Sequence, residues 1–348
     1  MKNKLKAGVG MFEKMLKEHY GLKAGTEIDL EGYRAFKKEN SLYLIMKANQ
    51  LKEQEISELS QIASQLKEFG DKDVPEFLRT NTNMEYCEWE DNRYSVLHCA
   101  EPALLKPAKT AKKLARFHMR GRMIPFHVNS INRIGQWKQL WEQRVDQMEA
   151  VWNEKLFQDP ENNFERDFID SYPYYMCLAE NAIQYLVDTE LDMQPGESDS
   201  GTVCHERFSA TVWGTKHIIK NPFDWVFDHQ SRDLAEWVRG QYFRNTQVSQ
   251  QKIRTFLLEY QSVGRLTPFS WRLLYARLLF PLHYFETVEN YYDAQSDQQR
   301  HELEEKMTKF LKQATEHERF LSAFFQLAEA PVRTMNLPMP SWLILQPL

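Results

Sequence analysis

Gly32-Tyr33-Arg34-Ala35-Phe36-Lys37, then Lys38-Glu39-Asn40-Ser41, then Leu42-Tyr43-Leu44-Ile45-Met46-Lys47: two strand-like runs rich in aromatic and branched residues flank a polar turn. This spelling predicts a β-hairpin. Upstream, residues 9–19 read as an amphipathic helix. Downstream, Ile56, Leu59, Ile62, Ala63, Leu66 and Phe69 fall at helical spacing over residues 52–69, and Gly70 ends the run. Residues 77–80, 85–89 and 94–99 then read as strands, with Asp91-Asn92 as the turn between the last two. Helix, hairpin, helix and further strands up to Glu101-Pro102 make an α+β unit with its own small antiparallel sheet.

From residue 103 onward the texture changes to 3.6-residue periodicity. Helices are expected over 109–118, 137–157, 164–187, 247–260, 268–292 and 297–327. Gln194-Pro195-Gly196-Glu197-Ser198-Asp199-Ser200-Gly201 interrupts them as a loop by composition, and short strand-like runs follow at Thr202-Val203-Cys204 and Ile218-Ile219. Loops held on a rigid helical frame are where chemistry is usually mounted. The expected fold class is therefore α+β and bilobal: a β-rich lobe over residues 1–102 and a mostly helical lobe over 103–348.

Composition narrows the function classes. Over 348 residues, 44 basic and 49 acidic side chains leave a net charge of −5, which argues against a nucleic-acid or anionic-membrane binder needing a basic field. Charges at Lys2, Lys4, Lys6, Glu13, Lys14, Lys17 and Glu18 break up the start of the chain, so a signal-peptide core is not expected there. Clean apolar runs such as 42–46 and 342–345 are too short to cross a bilayer. Cys87, Cys99, Cys177 and Cys204 form neither a C-x-x-C pair nor zinc spacing with histidine, so reduced thiols and cytoplasmic synthesis are expected.

Several segments, in order, carry a family likeness: Asp73-Val74-Pro75-Glu76-Phe77-Leu78-Arg79-Thr80, Ala111-Lys112-Lys113-Leu114-Ala115-Arg116-Phe117-His118, Tyr172-Pro173-Tyr174-Tyr175, Arg232-Asp233-Leu234-Ala235 and Leu274-Tyr275-Ala276-Arg277-Leu278-Leu279-Phe280-Pro281. The chain resembles the bacterial spore-coat kinase-like family of the CotS and YutH type, within the kinase-like fold of aminoglycoside and choline phosphotransferases. Asp224-Trp225-Val226-Phe227-Asp228-His229 before Arg232 looks most like the YutH branch. The likeness implies a spore-coat location, other coat proteins as partners, and ATP with magnesium as the cofactors that an active member would use.

The site residues implied by the resemblance can be weighed chemically. Phosphoryl transfer needs a carboxylate for the acceptor hydroxyl, carboxylate and amide ligands for magnesium, and a lysine on the phosphates. The catalytic loop should read His-x-Asp with Asn five residues on, but the matching stretch is His205-Glu206-Arg207-Phe208-Ser209-Ala210-Thr211-Val212. Arg207 stands at the aspartate position and stays protonated, so it accepts no proton. Val212, or Thr211 in a loop one residue shorter, supplies no amide oxygen. Asp224 matches the magnesium aspartate, with Asp228 as a substitute ligand, although a carboxylate capping its own turn is an equal account of Asp224. Asp233 is expected to fasten the catalytic loop.

In the β-rich lobe, Leu44-Ile45-Met46-Lys47 resembles the strand that offers a lysine to phosphates. Lys47, Glu58 on the following helix, and Glu101 are the candidate nucleotide-binding residues. Glu27, Asp29 and Glu31 lie between the isolated Gly25 and Gly32, where a phosphate-cradling loop would be glycine-rich, and three carboxylates there would repel a triphosphate. The basic cluster Lys106, Lys109, Lys112, Lys113, Arg116, Arg120 and Arg122 reads as a solvated helix face, or as a docking patch for an acidic partner. The expected function is a catalytically degenerate kinase-like coat protein. The alternatives are a phosphotransferase using Glu206 or Asp228, and a nucleotide sensor using Lys47 and Asp224.

Overall fold

The structure is a computed structural model and describes residues 2–100, 102–106, 109–244 and 246–344. Two compact units account for it: residues 1–132 with 201–228, and residues 133–200 with 229–348.

The first unit begins with α1 (Lys2–Tyr20) and a β-meander of β1 (Thr26–Leu30), β2 (Tyr33–Lys38) and β3 (Ser41–Lys47). There follow α2 (Glu53–Glu68), β4 (Glu76–Leu78), β5 (Cys87–Trp89), β6 (Asn92–Ala100) and α3 (Thr110–Arg122). The sheet is antiparallel, ordered β1-β2-β3-β6-β4, with β5 on β6. The hairpin of the sequence reading forms with Ala35 opposite Leu44 and Lys38 opposite Ser41.

The acidic stretch before Gly32 is a strand, β1, where a loop was expected. Alternation explains it: Ile28 and Leu30 pack inward while the charged side chains lie between them. The Glu31-Gly32 turn has φ of 55° and 85°, the positive-φ pair that a two-residue type I′ hairpin requires.

Strand parity separates two cores. Phe36, Ile45, Tyr94 and Val96 join Phe12, Met15 and Leu16 of α1 on one face. Ala35, Leu44 and Leu97 join Ile219 on the other, with Met46, Phe77 and Phe223 packed against them.

The remainder of this unit is a second, small sheet of β7 (Thr202–His205) and β8 (Trp225–Asp228). The partner of β7 is therefore 225–228. Ile218-Ile219, expected as a strand, is an irregular buried segment whose Ile219 N–H donates to the Trp213 carbonyl at 2.9 Å. β7 lies so close to α3 that a Cβ on Gly121 would stand 2.3 Å from Thr202 Oγ1 and 2.6 Å from Val203 N.

The second unit is helical: α4 (Trp137–Leu156), α5 (Asn163–Asp192), α6 (Ser231–Arg244), α7 (Thr246–Gln261), α8 (Pro268–Leu279), α9 (Leu282–Asp293), α10 (Asp297–Lys312), α11 (Ala314–Leu327), α12 (Val332–Met335) and α13 (Ser341–Ile344). Residues 268–292 make two helices, because the residue before Pro281 is pushed to extended backbone (Phe280 ψ 119°). Residues 297–327 break likewise, at Gln313.

Pro173 lies inside α5 and deprives the Ile169 carbonyl of its helical donor. The Trp152 indole N–H supplies one instead at 3.0 Å. In α8 every residue from Phe269 to Leu279 is buried, as expected for a helix apolar on all sides. Its N-terminus is held by Asp199 of the 194–201 loop, which accepts from Thr267 Oγ1 and Ser270 Oγ, both at 2.6 Å. Burial opposes ionisation of Asp199, but hydrogen bonds from His229, Ser270, Thr267 and Gly196 outweigh it and bring its pKa down to about 2. That loop is structural.

Candidate functional site

The β7–β8 hairpin gathers most of the catalytic-loop candidates. His205 pairs with Trp225 across the ladder, and the Glu206 N–H donates to the Asp224 carbonyl at 2.7 Å. His205, Glu206 and Asp224 thus meet at one end of the hairpin, with Arg207 next along the loop.

Their side chains are arranged for packing. His205 is 1% exposed, between the rings of Phe117 and Phe208. Its Nε2 accepts from the Trp213 indole at 2.8 Å, which assigns the proton to Nδ1 and occupies the ring's lone pair. Glu206 and Arg207 are exposed; the Arg207 guanidinium donates to its neighbour's carbonyl at 2.9 Å and lies 3.8 Å from its carboxylate. Thr211 is exposed in the same loop, its N–H donating to Ser209 Oγ at 3.3 Å.

Asp224 ends a short 3-10 turn, Pro222–Asp224, capped by Asn221, whose Oδ1 accepts from Phe223 N at 3.1 Å. Burial pushes the Asp224 carboxyl up from the ordinary range. It is opposed by the nearby His205 and by hydrogen bonds from Asn221 and the Tyr33 hydroxyl. Tyr33 is the first residue of β2; burial, then the Asp224 carboxylate, raises its own pKa. Asp228 is 1% exposed and sits opposite Thr202 at the other end of β8. Three residues lie between it and Asp224, four strand rises or about 13 Å. One magnesium ion, with ligand oxygens near 2 Å, does not bridge that span.

The nucleotide-binding candidates do not converge. Lys47 stands opposite Tyr94 and so shares the α1-covered face with Ile45. Met46 and Leu44 point to the face where Phe223, next to Asp224, packs. Lys47 is exposed and makes no ion pair among the described residues. Glu58 is committed elsewhere, its carboxylate accepting from the backbone N–H groups of Asn129, Ser130 and Ile131 at 2.9, 2.8 and 3.2 Å. Glu101 lies outside the described residues.

Two features escaped the sequence reading. The Glu31 carboxylate accepts from Thr215 N, Lys216 N and His217 N at 2.6, 2.8 and 2.7 Å, and from Thr215 Oγ1 at 2.8 Å. The only sequence signal was an acidic residue beside a turn glycine. Further along the same segment, Lys220 is 2% exposed; its Nζ donates to Asp71 Oδ2 at 2.6 Å, where Arg120 also donates at 2.9 Å. Phe117 and Trp213 flank the ammonium at 5.0 and 4.9 Å. Burial lowers the Lys220 pKa against the pull of Asp71. Lys113 pairs with Asp73 at 2.9 Å. Arg120 and Lys113 of the basic cluster are thus spent on structure, whereas Lys106, Lys109 and Arg116 are exposed.

An antiparallel sheet with α1, α2 and α3 and the β7–β8 hairpin that carries the His205-Glu206-Arg207 loop in one unit, and a helical second unit, make the kinase-like fold of the aminoglycoside phosphotransferases. The fold is shared with an aminoglycoside phosphotransferase from Alicyclobacillus acidocaldarius (TM-score 0.64, 16% identity, 89% of this chain and 94% of that one). It is shared also with spectinomycin phosphotransferase APH(9)-Ia in complex with ADP and spectinomycin (TM-score 0.57, 16% identity, 86% and 93%). Within this class the chain belongs to the YutH spore-coat family: the family described as "Spore coat putative kinase YutH" matches residues 13–324. The endospore coat-associated protein YutH of Bacillus subtilis (strain 168) is 41% identical over 334 residues, 96% of this chain and 98% of that protein. No helix among the described residues is long and apolar enough to cross a membrane.

Proposed function

We propose that this protein is a spore-coat component in which the kinase-like fold serves as a scaffold and phosphoryl transfer has been lost. The coat location follows the endospore coat-associated relative, and other coat proteins are its expected partners. The observation that carries the reading is Arg207: the position that needs a proton acceptor holds a permanent cation turned onto Glu206. The surroundings agree. Asp224 is engaged by Tyr33 and Asn221, Asp228 is too distant to share its metal, and Lys47 lies on the opposite face of the sheet. This donor set does not fit a magnesium–nucleotide complex. A nucleotide sensor using Lys47 and Asp224, or a kinase using Asp228, is disfavoured by the same geometry, and a kinase using Glu206 would need that carboxylate away from the Arg207 guanidinium, 3.8 Å distant.

Thermal unfolding with and without ATP and magnesium tests the proposal. A binder at 100 times its dissociation constant gains about 2.7 kcal/mol, roughly 5–10 °C for units of this size. An unchanged melting temperature is expected; a saturable rise would overturn the scaffold reading in favour of a sensor or kinase.

A further inference from the structure

We propose that residues 214–217 form an oxoanion-binding nest, occupied in this structure by the Glu31 carboxylate, and that a phosphate or sulfate dianion binds there when that carboxylate is removed. Three consecutive backbone N–H groups, of Thr215, Lys216 and His217, converge on the two carboxylate oxygens at 2.6 to 2.8 Å, and the Thr215 hydroxyl adds a fourth donor. Consecutive amides aimed at one point form a concavity whose natural complement is a tetrahedral or planar oxyanion. His217 Nδ1 lies 3.3 Å from the same oxygen pair. The cradle depends on Gly214, at φ +105°, where a Cβ would stand 2.2 Å from the His217 carbonyl and 3.1 Å from Glu31 Cδ.

The occupant fits the site. Glu31 comes from more than 180 residues away in sequence, and the type I′ turn that sets its φ at 55° presents its side chain to the four donors. The nest thus behaves as a receptor already loaded with an internal ligand. Thr215 and Lys216 are exposed, so an external anion reaches the site once the internal one is absent.

The test compares the full-length protein with Glu31→Ala, titrating each with inorganic phosphate and sulfate, and with chloride as the ionic-strength control. Binding is followed by the amide ¹H–¹⁵N shifts of Thr215, Lys216 and His217 and by thermal unfolding. Phosphate and sulfate are expected to bind Glu31→Ala saturably and at least about tenfold more tightly than wild type, where the tethered carboxylate competes at high effective concentration. Adding Thr215→Ala should weaken that binding, whereas Lys216→Ala, which keeps the backbone donor, should not abolish it.

Equal responses in wild type and variant, or an equal effect of chloride, would overturn the proposal. If Glu31→Ala does not fold, Glu31→Gln is titrated in its place. Failure of both to fold would also overturn it, because an exchangeable occupant is not indispensable. No nucleotide is used, so the outcome is separate from that of the scaffold reading.

Discussion

Replacing Glu31 by Gln removes the charge but keeps the side-chain volume, and its consequence depends on pH in a calculable way. Burial disfavours the ionised form, but the N–H groups of Thr215 and His217, the Thr215 hydroxyl and the Lys216 N–H outweigh it and bring the pKa from 4.5 to about 2. A carboxylate whose folded pKa is depressed adds stability that is fully present above the unfolded value and disappears as pH falls towards the folded one. The shift corresponds to about 3 kcal/mol at neutral pH. At about pH 3.5, one unit below the unfolded value, linkage removes about 1.4 kcal/mol of it. Urea unfolding of wild type and Glu31→Gln, near pH 7 and near pH 3.5, reads the difference directly from midpoints at constant slope. The wild-type advantage should be largest at neutral pH and narrow by roughly 1–1.5 kcal/mol at the acidic one. An advantage that is the same at both pH values, or absent at pH 7, would refute the reasoning.

Other perturbations reach the frame around the site. Asp71→Asn leaves Lys220 buried against aromatic rings without its counter-charge; a loss of about 3–5 kcal/mol, on the order of 10 °C in calorimetric melting temperature, is expected. A drop below about 3 °C would show that the ammonium finds another way to be neutral or solvated. Gly121→Ala drives a methyl into Thr202 and Val203 and should cost about 1–3 kcal/mol by chemical denaturation. Trp152→Phe keeps much of the ring packing but strips the Ile169 carbonyl of its donor beside Pro173, for an expected loss of about 1–3 kcal/mol; a neutral outcome would mean that the carbonyl is satisfied by water.

Comparison of particular elements shows where sequence periodicity sufficed. The 3.6-residue pattern over 52–69 and 137–157 found α2 and α4 within a few residues, and a short aromatic and branched run after a polar turn found β3. It missed β1, because glutamates and aspartates at every other position conceal a strand whose inward residues are only Ile28 and Leu30. It joined α8 to α9 because a proline at a junction between two buried helices leaves the apolar pattern unbroken. At the site, His205-Glu206-Arg207 and Asp224 were singled out by the family resemblance; the structure puts the first three at and just after the end of β7 and Asp224 in the turn before β8. Lys47 and Glu58 were paired by the family resemblance, yet strand parity sets Lys47 on the α1-covered face while the 129–131 loop captured Glu58.

What the amino-acid order determined alone was class and chemical character: an α+β lobe before a helical mass, and a guanidinium where the family resemblance places a proton acceptor. These depend on residue type and local period, which need no knowledge of distant neighbours. Only the tertiary structure decided that Tyr33 faces Asp224, that Lys220 is paired with Asp71, and that Glu31 fills a ring of backbone donors. Such pairings join groups 149 to more than 180 residues apart. They are set by which backbone N–H groups and charges folding leaves in need of partners, a demand that no short stretch of sequence records.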